Sequence, residues 1–152
     1  MTLKSRKGTR LERTIYEEPG RIFSITICIF NNKQIFLNKN LADKVWSTAK
    51  DSIFSREADL TAACLMPDHL HLLIGVKNVN LVDLISRWKR FTRKIVYDAG
   101  YKDKLWQRSF YDHALRREEQ VNAVARYIYE NPIRAGLVAK NGDYPYRWHA
   151  WL

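Results

Sequence analysis

Strand-forming runs joined by a Pro-Asp turn, with helical periods before and after them, predict an α+β fold. The order β-α-β-β-α-β followed by α is that of a ferredoxin-like (RRM-like) antiparallel sheet with helices on one side. Three observations carry this reading: the strand runs "RIFSITICIF", "LTAACLMP" and "HLHLLIGV"; the helical runs "LADKVWSTAKDSIFS" and "REEQVNAVARYIYEN"; and a third helical run from Leu81 to about Tyr97.

Taken in order, the first twenty residues carry Lys4, Arg6, Lys7, Arg10 and Arg13 and read as a basic arm (1–20). A main domain follows over 21–140, and 141–152 form a C-terminal tail. In the first strand Phe23, Ile25, Ile27 and Ile29 share one side, while Ser24, Thr26 and Cys28 share the other. "NKN" supplies a cap for a helix whose stripe is Ala42, Val45, Trp46, Ala49 and Ile53. Pro67 and Asp68 turn one strand into the next as a hairpin. Asn80 caps the following helix, with Asp83 three residues on and a stripe of Leu81, Leu84, Ile85, Trp88, Phe91 and Ile95. "LWQRSFYDHALR" reads as a further strand. The last helix ends near Asn131, because Pro132 disfavours the α conformation in the residue before it. No repeat recurs along the chain, which excludes a solenoid.

Composition narrows the partners. The 152 residues suffice for one domain with a real core, and 46% apolar residues exclude wholesale disorder. Lys and Arg number 26 against 16 Asp and Glu, a formal charge of +10. That excess makes nucleic acid the leading partner, since each neutralised phosphate releases counterions; an anionic membrane surface and plain solubility are the rivals. Cys28 and Cys64 read as small buried hydrophobes, the polar basic start of the chain carries no secretory signal, and no run is apolar enough to span a membrane. A reducing cytoplasm is the expected setting.

"MPDHLHLLIG" places His69 and His71 either side of Leu70. Strand alternation puts both imidazoles on one face, about 7 Å apart along the chain, and turns Leu70 into the opposite, core-facing layer. Such a pair can converge on a divalent ion, and imidazole combined with carboxylate or amide oxygen suits Mg²⁺ or Mn²⁺. It can equally be two polar residues on a wet face. A metal site needs a third ligand and a reacting group from elsewhere in the chain.

The final helix offers both. At about 100° per residue, Tyr127 and Asn131 lie about 40° apart on one face, whereas Tyr129 stands about 200° from Asn131. A phenol placed in line with a leaving oxygen is a nucleophile toward phosphorus, given help from a nearby cation or metal. Two plainer readings stand beside this one. Tyr127 and Tyr129 also flank the apolar stripe of Val121, Val124, Ala125 and Ile128 as boundary tyrosines, and Asn131 is also a good N-cap for the turn "PIRAG" closed by Gly136.

Taken together, "MPDHLHLLIGV", "LWQRSFYDHALRREEQ" and "YIYENPIRAGLV" resemble the single-tyrosine HUH transposases, and among them the REP-associated tyrosine transposases, from about Ile22 to Val138. The resemblance implies a ferredoxin-like fold of the HUH endonuclease type. It implies that His69 and His71 bind a divalent metal, that Tyr127 is the nucleophile, and that Asn131 stands where insertion-sequence members carry glutamine as the third ligand. It further implies single-stranded DNA cleavage through a 5′-phosphotyrosine linkage that leaves a free 3′-hydroxyl for rejoining. The implied substrates are imperfect hairpins of repetitive extragenic palindromes, with a short adjoining single strand that guides the cut. The implied setting is the bacterial nucleoid, and the assembly is either a monomer or a homodimer.

For the DNA footprint, "SRWKRFTRK" sets Arg87, Arg90 and Lys94 on one helical face with Lys89 and Arg93 nearby; Arg108, Arg116 and Arg117 form a second cluster. The aromatic tail, with Tyr144, Tyr146, Trp148 and Trp151, either stacks unpaired bases or packs on the domain. His113 and His149 lack a comparable partner spacing. The competing class is a non-catalytic RRM-like module that binds nucleic-acid hairpins. A two-histidine cyclic phosphodiesterase would need a second H-x-[ST]-like motif, which the chain lacks.

Overall fold

The computed structural model describes residues 13–51, 53–115 and 118–151. Five strands form one sheet: β1 (Ile22–Cys28), β2 (Ala58–Met66), β3 (His69–Val76), β4 (Tyr111–Ala114) and β5 (Arg147–His149). Their order is β4-β1-β3-β2-β5, with every neighbouring pair antiparallel. The first four strands keep the ferredoxin-like arrangement read from the sequence, and β5 adds an edge beside β2. The helices are α1 (Lys39–Asp51), α2 (Ile53–Glu57), α3 (Leu81–Asp98), α4 (Glu118–Tyr129) and the single turn α5 (Asn131–Arg134).

The caps behave as their residue types require. Asn38 Oδ1 accepts from the Asn40 and Leu41 amides at 3.0 and 3.3 Å, and Asn80 Oδ1 accepts from Val82 and Asp83 at 2.9 and 3.3 Å. The β2–β3 hairpin turns at Pro67 and Asp68, whose carbonyls accept from the Phe36 and Ile29 amides at 3.0 and 2.9 Å. These bonds tie the turn to the end of β1, just where β3 begins.

The sheet has two apolar faces. On the first, Phe23, Ile25 and Ile27 of β1 and Leu70, Leu72 and Ile74 of β3 pack under α1, α2 and α3. On the second, Ala62, Cys64, Met66 and Leu73 pack against Ala125 and Ile128 of α4, with Val121 and Val124 beside them. The expectation of helices on one side therefore holds for α1 to α3, and α4 refines it by covering part of the other face. Its stripe is the one read from the sequence.

Several local expectations change. The helix read over 41–55 is two helices, and only Tyr111–Ala114 of "LWQRSFYDHALR" is strand. In α3 the buried residues are Leu81, Leu84, Ile85, Trp88, Thr92 and Val96; Phe91 is exposed and Ile95 half-buried. A polar residue displaces an aromatic one because its hydroxyl is fully used. Thr92 Oγ1 donates to the Trp88 carbonyl at 3.0 Å and accepts the Trp106 indole N–H at 2.9 Å. Trp88 in turn donates to Thr48 Oγ1 at 3.1 Å and lies 5.2 Å from Trp106, centroid to centroid.

At the N-terminal side, Tyr16 is buried, stacks on Phe23 at 5.7 Å and donates to Asp112 Oδ2 at 2.7 Å, so the described end of the basic arm docks on the core. The tail docks as well. Tyr144 donates to the Leu65 carbonyl at 2.6 Å and Tyr146 to Asp43 at 2.7 Å, while Trp151 stays exposed.

Thr92→Val keeps the volume but leaves a buried indole N–H without its acceptor. It should lower unfolding stability by about 1–3 kcal/mol in urea titrations, whereas Phe91→Ala should stay within about 0.5 kcal/mol.

Candidate active site

The pleat of β3 sends His69, His71 and Leu73 to the second face. Directly opposite on β1 are Cys28 and Thr26, and on β2 Met66 and Cys64, so two cross-strand rows flank the imidazoles. Where the α4 stripe runs off the sheet, Tyr127 and Asn131 close over these rows. Together with Gln34, Thr26 and Asp68 they line an open cavity of about 430 Å³ that contains both histidines.

Each imidazole is held by one nitrogen. His69 Nδ1 donates to Asp68 Oδ1 at 2.6 Å, and His71 Nδ1 lies 3.0 Å from Thr26 Oγ1. The rings stand edge-on, with centroids 4.6 Å apart. Among the described residues, neither Nε2 atom has a hydrogen bond. The bond from His69 holds the Asp68 carboxyl below the usual carboxylate range. Burial, reinforced by the positive charges of His69 and Arg134, pushes His71 down to about 3. His71 is therefore neutral at ordinary pH, the state a metal ligand requires.

Tyr127 is 52% exposed, and the Arg134 guanidinium lies over its ring, 3.7 Å from the centroid. Arg134 also donates to the Tyr127 carbonyl. The α4–α5 turn creates this contact. Pro132 stands at the second position of α5 and Gly136, at φ +73°, closes the turn, so Arg134 folds back over Tyr127. Asn131 does not cap that turn: Glu130 occupies the cap position, Asn131 is the first helical residue, and its side chain makes no hydrogen bond among the described residues. The amide is free to face the cavity.

Among the described residues, no group of three or more His, Cys, Asp and Glu could hold a metal. A third protein ligand beside the two histidines would have to be an amide or hydroxyl oxygen, and Asn131 and Gln34 are the cavity's amides. Two imidazoles plus one amide oxygen would leave coordination positions for water and substrate, as an open divalent-metal site requires.

The basic residues of α3 divide. Arg87 pairs with Glu57, Lys89 donates to the Gln107 carbonyl at 2.6 Å, and Lys94 pairs with Asp98 at 2.7 Å. Arg90, Arg93 and Arg108 are exposed and have no ion pair among the described residues. Arg116 and Arg117 lie outside the described residues. Of the described cations among these, none lines the cavity. The sequence reading missed Thr26, which needs the β1–β3 register, and Arg134, which needs the turn geometry. Asp68 was visible in the turn itself, one residue before His69.

The sequence and the fold match those of a known class. Residues 22–131 match the family described as "Transposase IS200 like", and the chain belongs to that family. Within it the chain is similar to the REP-associated branch that the motifs resemble. The REP-associated tyrosine transposase of Escherichia coli K12 is 29% identical over 91 residues, which cover 60% of this chain and 54% of that protein. A Haemophilus influenzae relative, assigned provisionally to the same group, is 27% identical over 139 residues and covers 84% and 78%. A solved REP-associated tyrosine transposase bound to a REP hairpin superimposes with a TM-score of 0.67 at 24% identity, over 92% of this chain and 82% of that one. At that identity the likeness concerns the fold. Among the described residues, no helix is long and apolar enough to cross a membrane.

Because folding depresses the His71 pKa from 6.5 to about 3, the unfolded chain takes up this proton first as pH falls. The contribution to stability is full above about pH 6.5 and is lost as pH drops toward 3. The urea midpoint should fall between pH 7 and pH 4, and His71→Gln should make that fall shallower. Equal slopes would contradict the burial.

Proposed function

We propose that this chain is a metal-dependent single-stranded DNA endonuclease and strand transferase acting on REP-type hairpins, with Tyr127 as nucleophile. The observation that supports this most is the single cavity lined by His69, His71, Tyr127 and Asn131 of one chain. The relatives' names and the hairpin-bound neighbour support the substrate class.

A divalent ion, Mg²⁺ or Mn²⁺, would be held by Nε2 of His69, Nε2 of His71 and the Asn131 amide oxygen. When bound, it supplies Lewis-acid polarisation of the scissile phosphate. The chain's own residues do the rest. Asp68 fixes the His69 tautomer with its proton on Nδ1, and Thr26 accepts Nδ1–H of His71, so both Nε2 lone pairs point outward. The Tyr127 oxygen bonds to phosphorus as the P–O3′ bond breaks, and the proton lost by the phenol is balanced by one gained at the 3′-oxygen. The product is a 5′-phosphotyrosine and a free 3′-hydroxyl. Because the phosphoester energy is retained, the reverse attack rejoins a strand without an external energy source. Arg134 keeps the exposed ring over the cavity. That His69, His71 and Tyr127 line one cavity of a single chain supports attack in cis by a monomer.

A denaturing gel of protein with a REP-type hairpin oligonucleotide and Mg²⁺ or Mn²⁺ tests this. Wild type forms a covalent protein–DNA band and Tyr127→Phe forms none. No band from wild type, with hairpin binding intact, leaves a non-catalytic hairpin-binding module. His69→Ala and His71→Ala should abolish cleavage while hairpin affinity persists, and Asp68→Ala should slow cleavage by about 10–100-fold. Loss of binding alongside cleavage would make the histidines structural.

Arg90 and Arg93 are the exposed cations of α3 without an ion pair among the described residues, and we assign them to the phosphate footprint. Replacing both by Ala should make the slope of log affinity against log salt shallower by about 1.4–1.8. An unchanged slope would remove α3 from the footprint.

A further inference from the structure

A second cavity, also about 430 Å³, lies on the flank of α4 turned away from Tyr127, between that helix and the end of the chain after β5. Its size is in the range of small-molecule pockets. Tyr129, His149 and Trp151 form aromatic walls: His149 stands edge-on to Tyr129 with centroids 4.6 Å apart, and Trp151 lies 5.9 Å from His149. Arg147 covers one part of Tyr129, its guanidinium 4.2 Å from the ring centroid, whereas Trp151 is 56% exposed. An exposed indole beside an imidazole offers a face on which a planar ring can stack.

The polar side chains of the cavity are as informative. Arg126 and Glu130 lie four residues apart, with the Glu130 amide donating to the Arg126 carbonyl at 2.9 Å, so they share a helical flank. Opposite charges at that spacing ordinarily pair. Here, among the described residues, neither side chain has an ion pair or a hydrogen bond, although both line the cavity. A guanidinium and a carboxylate held apart suit a ligand with acceptors on one edge and donors on another. A phosphate alone would meet repulsion from Glu130.

We propose that this cavity binds one unstacked guanine of single-stranded DNA. The base stacks on Trp151 with His149 at its edge, Arg126 donates to its O6 and N7 acceptors, and Glu130 accepts from its N1–H and 2-amino donors. Guanine is the base that offers two adjacent donors to one carboxylate; thymine has no amino group, and cytosine and adenine have an amino group without a neighbouring ring N–H. The inference rests on DNA being the substrate, as proposed above. It adds a base-reading site on the opposite flank of the helix that carries Tyr127.

The test uses the full chain without added metal and a labelled hairpin with an all-thymine single-stranded flank, with one guanine moved through each flank position. Binding is read by fluorescence anisotropy. Wild type should bind about tenfold more tightly when guanine occupies one particular position. Inosine there, which lacks the 2-amino group, should recover part of the gain. Glu130→Ala should lose the gain while binding the all-thymine flank as wild type does. Trp151→Ala should lose it as well, and Trp151→Phe should keep most of it. No gain at any position, or a gain that survives either alanine variant, overturns the proposal. Tyr127→Phe should keep the gain in this metal-free assay and form no adduct in the separate denaturing gel with Mg²⁺ or Mn²⁺, so failure of the base pocket and failure of the nucleophile are read separately.

Discussion

The structure depends on the pleat of β3, held between β1 and β2 in the middle of the sheet. Leu70, Leu72 and Ile74 are fully buried in the larger core, and this fixes the strand's register. A one-residue slip would drive His69 and His71 into that core and expose three large apolar side chains. The imidazoles are therefore oriented by hydrophobic burial on the face they do not occupy. Their hydrogen bonds to Asp68 and Thr26 set the final angle of each ring, and those partners stand where the hairpin turn and the β1 register place them.

The second face is only partly covered, and that is what makes it usable. Ala125 and Ile128 anchor α4 over Cys64, Met66 and Leu73, leaving the histidine end of the strands open. Tyr127 and Asn131 reach the opening from the edge of the stripe. The proline-led turn brings Arg134 back over the Tyr127 ring. One small apolar patch thus sets the position of a tyrosine against two imidazoles, and the same helix offers its other flank to a second cavity.

Much of this was legible in the residues. Period-two runs marked β1, β2 and β3 because a half-buried sheet has no other way to sort its side chains. The shared face of Tyr127 and Asn131 followed from helical geometry alone. Reading stopped where tertiary partners decide. Phe91 fell within the apolar stripe and Thr92 outside it, but the Trp106 indole supplies a buried partner for the Thr92 hydroxyl, and helix phase then turns Phe91 outward. Thr26 gained its role only when β1 was placed beside β3. Arg87, Arg90 and Lys94 read as one basic face with Lys89 and Arg93 nearby, yet Arg87 and Lys89 are engaged by Glu57 and Gln107, which only the tertiary fold brings to them, and Lys94 by Asp98 one helical turn on. Asn131 carried two readings, and the turn resolved one of them by placing Glu130 at the cap.

The central claim is that the histidine face and the α4 edge form one reaction site with Tyr127 as its nucleophile. Peptide mapping by mass spectrometry of the DNA-linked protein formed with Mn²⁺ tests it most directly, since Tyr129 stands two residues away on the other flank of the helix. DNA should be attached to Tyr127 alone. Attachment at Tyr129 or at any other residue would contradict it.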